Sequence, residues 1–184
     1  FHLLRRQAKW PLQRPLVVMT PKSLLRKKEA GSSLGDLATG AFRTVLDDAG
    51  IGEHRASARA LVLSSGKVYY DLLAEAVKRD ERPPLARVEQ LYPFPEQELR
   101  DLLSRYPSLT EVVWTQEEPR NMGPWTFIEQ RLSPILPPGV YLRYVGRPER
   151  AAPSEGYSSA HGAEQARIVA EALSAGTSPG KVRV

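Results

Sequence analysis

The chain has 184 residues, 41% of them hydrophobic and 26% charged, which is enough for one domain with its own core. It contains no cysteine, which excludes disulfides, thiol catalysis and zinc–thiolate sites and suits a cytoplasmic protein, and its three histidines are scattered, which argues against a metal cluster. The net charge is +5, but the only dense basic run is Lys22 to Lys28, so the sequence reads as a solvated basic loop and not as a nucleic-acid binder.

The first ten residues carry Arg5, Arg6 and Lys9 and hold no apolar block of the kind a secretion signal needs. No apolar run approaches the roughly 20 residues of a membrane span. Phe1 to Gln7 reads as the end of a helix that began upstream, so the chain is taken as a piece of a longer protein. The expected organisation is a leader over residues 1–14, one domain over 15–175 and a polar tail over 176–184.

Leu16 to Thr20 is a continuous apolar run between prolines and predicts a buried strand. Ser23 to Lys28 predicts one helical turn, and Glu29 to Ser33 a mobile Gly/Ser-rich link. Leu34 to Val45 is ambiguous, and Asp47 to Ser57 reads as a loop. Ala60 to Ser64 is the second strand. A helix follows from near Gly66 to about Arg79, with Val68, Leu72, Leu73 and Ala76 on one stripe. Arg87 to Leu91 is the third strand, and Pro95 opens a helix that buries Leu99, Leu102 and Leu103. Glu111 to Gln116 is the fourth strand, with Trp114 in the core. A helix runs from Pro124 to Leu136, a fifth strand from Val140 to Val145, and a last helix from His161 to Ala175. Strands that alternate with helices predict a three-layer α/β/α domain around a mainly parallel five-stranded sheet.

Several groups sit at predicted strand ends, where open α/β sheets carry their sites. Ser65-Gly66-Lys67 lies at a strand-to-helix junction. Helix capping explains it, and so does the binding of a phosphate-bearing effector by free helix amides, with Arg147 sharing the site. The glycine-rich loop of nucleotide hydrolases is absent, so ATP hydrolysis is not supported. Glu117 and Glu118 point to opposite sides of an extended chain, which disfavours a shared-proton acid–base pair. They fit better as rim groups that fix the Asn121-Met122-Gly123 turn and meet a subunit. Tyr92 and Phe94, set among prolines, either pack on the core or anchor an interface. His161 precedes a helix without a nucleophile that sequence can identify.

Four motifs stand in order: Arg14-Pro15-Leu16-Val17-Val18-Met19-Thr20-Pro21-Lys22-Ser23-Leu24-Leu25-Arg26, then Ser65-Gly66-Lys67-Val68-Tyr69-Tyr70-Asp71-Leu72, then Arg87-Val88-Glu89-Gln90-Leu91-Tyr92-Pro93-Phe94-Pro95, then Val113-Trp114-Thr115-Gln116-Glu117-Glu118-Pro119-Arg120-Asn121-Met122-Gly123-Pro124-Trp125. With them the chain resembles, from Phe1 to about Leu173, the C-terminal domain of the thiamine-diphosphate-dependent 2-oxoglutarate dehydrogenases, a transketolase C-terminal-like domain. The resemblance implies a parent that decarboxylates 2-oxoglutarate and succinylates lipoamide in the citric acid cycle. It implies thiamine diphosphate and Mg2+ in that parent but not in this chain, whose own part is to support a homodimer beside the other domains. A dihydrolipoyl succinyltransferase is the implied partner, and acetyl-CoA or AMP the implied effector, near Ser65, Lys67, Gln116 and Arg147. Glu117, Glu118, Asn121, Tyr92 and Phe94 are the implied rim. Related thiamine-dependent 2-oxo acid dehydrogenases or decarboxylases, and a free-standing coenzyme A or nucleotide-binding module, stand as alternatives.

Overall fold

A computed structural model of the chain describes residues 1–176. It divides into two compact units, Phe1–Arg43 and a second that starts at Thr44. The division falls well past residue 14, the expected end of the leader.

The first unit holds two short α-helices, α1 (His2–Ala8) and α2 (Leu34–Ala38), and 3-10 turns at Lys22–Arg26 and Lys28–Ala30. Ser33 starts α2 with a capping box: its side chain accepts from the Asp36 amide, and the Asp36 carboxylate accepts from the Ser33 amide. Leu16 to Thr20 is not a strand here. All five residues are exposed and have no regular structure.

The second unit is built on a five-stranded sheet of order β1-β3-β2-β4-β5. Its strands are β1 (Val45–Leu46), β2 (Ala60–Ser64), β3 (Leu85–Val88), β4 (Glu111–Pro119) and β5 (Tyr141–Arg147). Strand β1 pairs antiparallel to β3, and all other pairings are parallel. The fifth strand of the sheet is therefore Val45–Leu46 and not Leu16–Thr20. The third strand starts two residues earlier than expected, directly after Pro83-Pro84, which cannot donate to a ladder.

Every residue of β2 is buried, as a strand covered on both faces requires. Leu61 and Leu63 join Val112 and Trp114 of β4 on one face, under α4 (Glu96–Ser104) and α5 (Trp125–Leu132). Ala60, Val62 and Val113 point the other way, under α3 (Val68–Ala76) and α6 (Ser158–Leu173). The result is the expected three-layer α/β/α domain. The predicted tail, Thr177 to Val184, lies outside the described residues.

Strand order also positions the site. From β2 the chain leaves through α3 towards β3 on one side. From β4 it leaves through α5 towards β5 on the other side and the opposite face. The two exits diverge between β2 and β4, and open sheets place a crevice at such a point.

Candidate functional site at the carboxyl edge of the sheet

Ser64 ends β2 fully buried, and the chain then turns at Gly66, whose φ of +76° is open to glycine without strain. Lys67 follows at the N-cap position of α3, where its side chain makes no capping bond. Its ammonium lies 2.9 Å from Asp71 Oδ2, one helical turn on, and 3.3 Å from Glu117 Oε1 at the end of β4. Gln165 of α6 closes the cluster, with its amide nitrogen 3.0 Å from both Asp71 Oδ2 and Glu117 Oε1. Three elements remote in sequence therefore meet around one ammonium. Burial pulls the Lys67 pKa down, but the bonds to Asp71 and the charge of Glu117 more than offset it, so the amine is held above the ordinary lysine value. The Lys67 side chain remains 33% exposed, so a ligand can reach it.

Arg147, the last residue of β5, is 1% exposed. Its guanidinium donates to the Glu117 carbonyl and to the Glu155 carboxylate, 3.0 Å away. Lys67 and Arg147 thus approach the same residue, Glu117, one at its side chain and one at its backbone. Burial raises the Glu155 pKa and the Arg147 bond lowers it, and the net direction is down.

His161 Nδ1 lies 3.2 Å from Arg147 Nη2 and 2.9 Å from Ser154 Oγ. A guanidinium can only donate, so Arg147 occupies the one lone pair that Nδ1 offers. Nδ1 is then not free to take the Ser154 proton, and the pair does not form a nucleophile–base couple. Among the described residues no group of three or more histidines or carboxylates could hold a metal ion.

Gln116 takes a different course from the other predicted effector contacts. It is 2% exposed, and its side chain is fully engaged: the oxygen accepts from Trp114 Nε1 at 3.0 Å, and the amide donates to Met122 O at 2.8 Å and Pro119 O at 3.2 Å. It holds the 119–123 turn from within. Gly123 completes that turn at φ +65°, where a Cβ would lie 3.0 Å from Glu118 and 3.1 Å from Gln116 Nε2. Glu117 turns to the α3/α6 face, while the exposed Glu118 sits against the turn. Asn121 clips the same turn to the segment that follows β5, giving its amide to Arg150 O and accepting from Arg150 N. The Tyr144 hydroxyl is shared between Glu118 O and Arg147 O, and burial pushes its pKa up to about 12. Ser65 stands at the crevice, partly exposed.

Away from the crevice, Tyr92 is 81% exposed. The Tyr92 and Phe94 rings meet Phe127 edge-on at 6.5 and 6.4 Å. Sequence reasoning missed the partners Asp71, Glu155 and Gln165. Asp71 was within reach, because a Lys and an Asp four apart at a helix start form a pair on one face.

A parallel sheet with one antiparallel edge strand, wrapped by two helix layers and carrying a polar cluster between diverging strand exits, defines an α/β domain of the transketolase C-terminal type. The sequence model of the 2-oxoglutarate dehydrogenase C-terminal family matches residues 31–173, and the chain belongs to that family. The chain is 46% identical, over 95% of its length, to a 2-oxoglutarate dehydrogenase E1 component from an Exiguobacterium species. It is 46% identical to the protein of that name from Shouchella clausii and 44% identical to the one from Bacillus subtilis, each over 94% of its length. It spans 19% of the length of each of these relatives. No helix among the described residues is long and apolar enough to cross a membrane.

Proposed function

We propose that the chain is the C-terminal structural and regulatory part of a cytoplasmic, thiamine-diphosphate- and Mg2+-dependent enzyme that decarboxylates 2-oxoglutarate and passes the succinyl group to a dihydrolipoyl succinyltransferase. The observation that carries this reading is the 46% identity, over 181 residues, to a relative named 2-oxoglutarate dehydrogenase E1 component. The cofactor supplies the electron sink for loss of carbon dioxide, and it belongs to the remaining domains. This chain shapes the approach to that centre and supports a homodimer, with Tyr92, Phe94, Glu117, Glu118 and Asn121 on the rim.

The crevice residues take an effector. The free amides at the start of α3, Ser65 and the Lys67 ammonium are suited to the phosphates of acetyl-CoA or AMP. Arg147, buried and paired with Glu155, contributes by fixing the Glu117 backbone beside them, and Gln116 by holding the turn.

The test is an assay of carbon dioxide release from 2-oxoglutarate with thiamine diphosphate and Mg2+. A full-length polypeptide that contains this chain is expected to turn over and to prefer 2-oxoglutarate to pyruvate. The 184-residue chain alone is expected to be silent. Turnover by the short chain, or preference for pyruvate by the long one, overturns the reading.

A further inference from the structure

Leu16 to Met19 are four apolar residues in succession, yet they stand in solvent: Val17 is 80% exposed, Val18 51% and Met19 89%. Among the described residues the backbone groups of Leu16 to Thr20 make no hydrogen bond. A run of this kind without alternation is what a strand looks like when helices cover both faces of its sheet. Prolines stand only at its borders, Pro15 and Pro21, so all five amides between them are free to join a ladder. Five residues span about 17 Å, the length of an ordinary strand. An unpaired apolar strand is a liability that folded proteins cover.

The comparisons place this run outside the C-terminal family region. The family model for the C-terminal region starts at residue 31, while the relatives match 94–95% of the chain. Those matches must take in most of the residues before Gly31. These residues therefore correspond to a part of the relatives that lies outside the C-terminal family region, and the break between compact units, at Arg43, also separates them from the five-stranded sheet.

We propose that Leu16–Thr20 is a β-strand donated to the open edge of a second parallel α/β sheet, one formed by the part of the longer polypeptide outside these 184 residues. The segment then ties this domain to its neighbour by main-chain hydrogen bonds, with Leu16 and Val18 in one helix layer and Val17 and Met19 in the other. The inference rests on the reading of the chain as part of a longer enzyme, and its test is separable from that reading.

Hydrogen–deuterium exchange is to be followed at residues 16–20 in the full-length polypeptide and in the 184-residue chain. Exchange at least roughly tenfold slower in the full-length protein is expected. A Val18→Pro change, which removes one ladder donor, is expected to lower the Tm of the full-length protein and to leave the short chain unmoved. Equally fast exchange in both proteins overturns the proposal. So does protection in the short chain that grows with its concentration, because that result means the strand pairs with a second copy. A full-length protein that decarboxylates 2-oxoglutarate while residues 16–20 exchange freely defeats the strand assignment alone and leaves the enzymatic reading intact.

Discussion

The two ends of the same sheet carry similar charges in different settings. At the amino edge, Asp48 has a side chain 8% exposed and binds Arg82 with both carboxylate oxygens, while also accepting from the Leu85 and Gly50 amides. Glu111, 4% exposed, is paired with Arg143. At the carboxyl edge, the Lys67, Asp71 and Glu117 side chains are 33%, 28% and 29% exposed. Buried pairs cannot lose a partner cheaply, whereas half-exposed ones exchange it for water or a ligand at small cost. The amino edge therefore holds the fold, while at the carboxyl edge the cluster around Lys67, unlike the buried Arg147–Glu155 pair beside it, can exchange partners at small cost.

The sharpest way to break that contrast is Asp48→Ala. It leaves Arg82 and the Leu85 amide without their acceptor and is expected to cost about 3 kcal/mol in denaturant unfolding. Burial raises the Asp48 pKa, but the Arg82 bond and the two amides outweigh it, so the folded value lies below the ordinary one. Stability from such a group is present above the unfolded pKa and lost as pH falls through the folded value. The gap in Tm between the wild type and Asp48→Asn is therefore expected to be widest near neutral pH and to close below about pH 4. A gap that stays constant into acid contradicts the role given to this carboxylate.

A smaller effect is expected from Gly146→Ala. A Cβ there would lie 2.2 Å from the Tyr144 hydroxyl oxygen and 3.0 Å from Gln116 O. The Tyr144 ring lies tilted against Trp125, with centroids 5.0 Å apart, and cannot retreat freely. Overpacking of this kind costs about 2 kcal/mol, and near-UV circular dichroism is expected to report the displaced ring.

The smallest effect on stability is expected from Lys67→Ala, below about 1 kcal/mol, because its ion pairs are partly exposed to water. A loss as large as that of Asp48→Ala erases the distinction between the two edges.

Much of this arrangement is legible in the sequence, and the failures have physical causes. Strand β2 and the main part of β4 announce themselves as apolar runs between turns, and α4 by Leu99, Leu102 and Leu103 at helical spacing. Leu16–Thr20 shows the same signal as β2, yet of the two only β2 finds strand neighbours among the described residues, because a strand's apolar pattern does not say which sheet it joins. Val45–Leu46 is too short to carry a pattern of its own, and it is a strand only because β3 pairs with it. The crevice was visible as polar residues at strand ends, but the pairing of Lys67 with Glu117, fifty residues apart, was not. Gln116 was expected to face a ligand, whereas strand alternation turns it to the face opposite Glu117, where Trp114 and the 119–123 turn engage it.

Calorimetric titration of acetyl-CoA into the wild type and the Lys67→Ala variant tests the role of the carboxyl edge most directly. The account predicts saturable heat for the wild type and affinity weakened about tenfold or more in the variant, the effect of one lost bond between charged groups. Absence of heat at millimolar ligand, or equal affinity in both proteins, contradicts it.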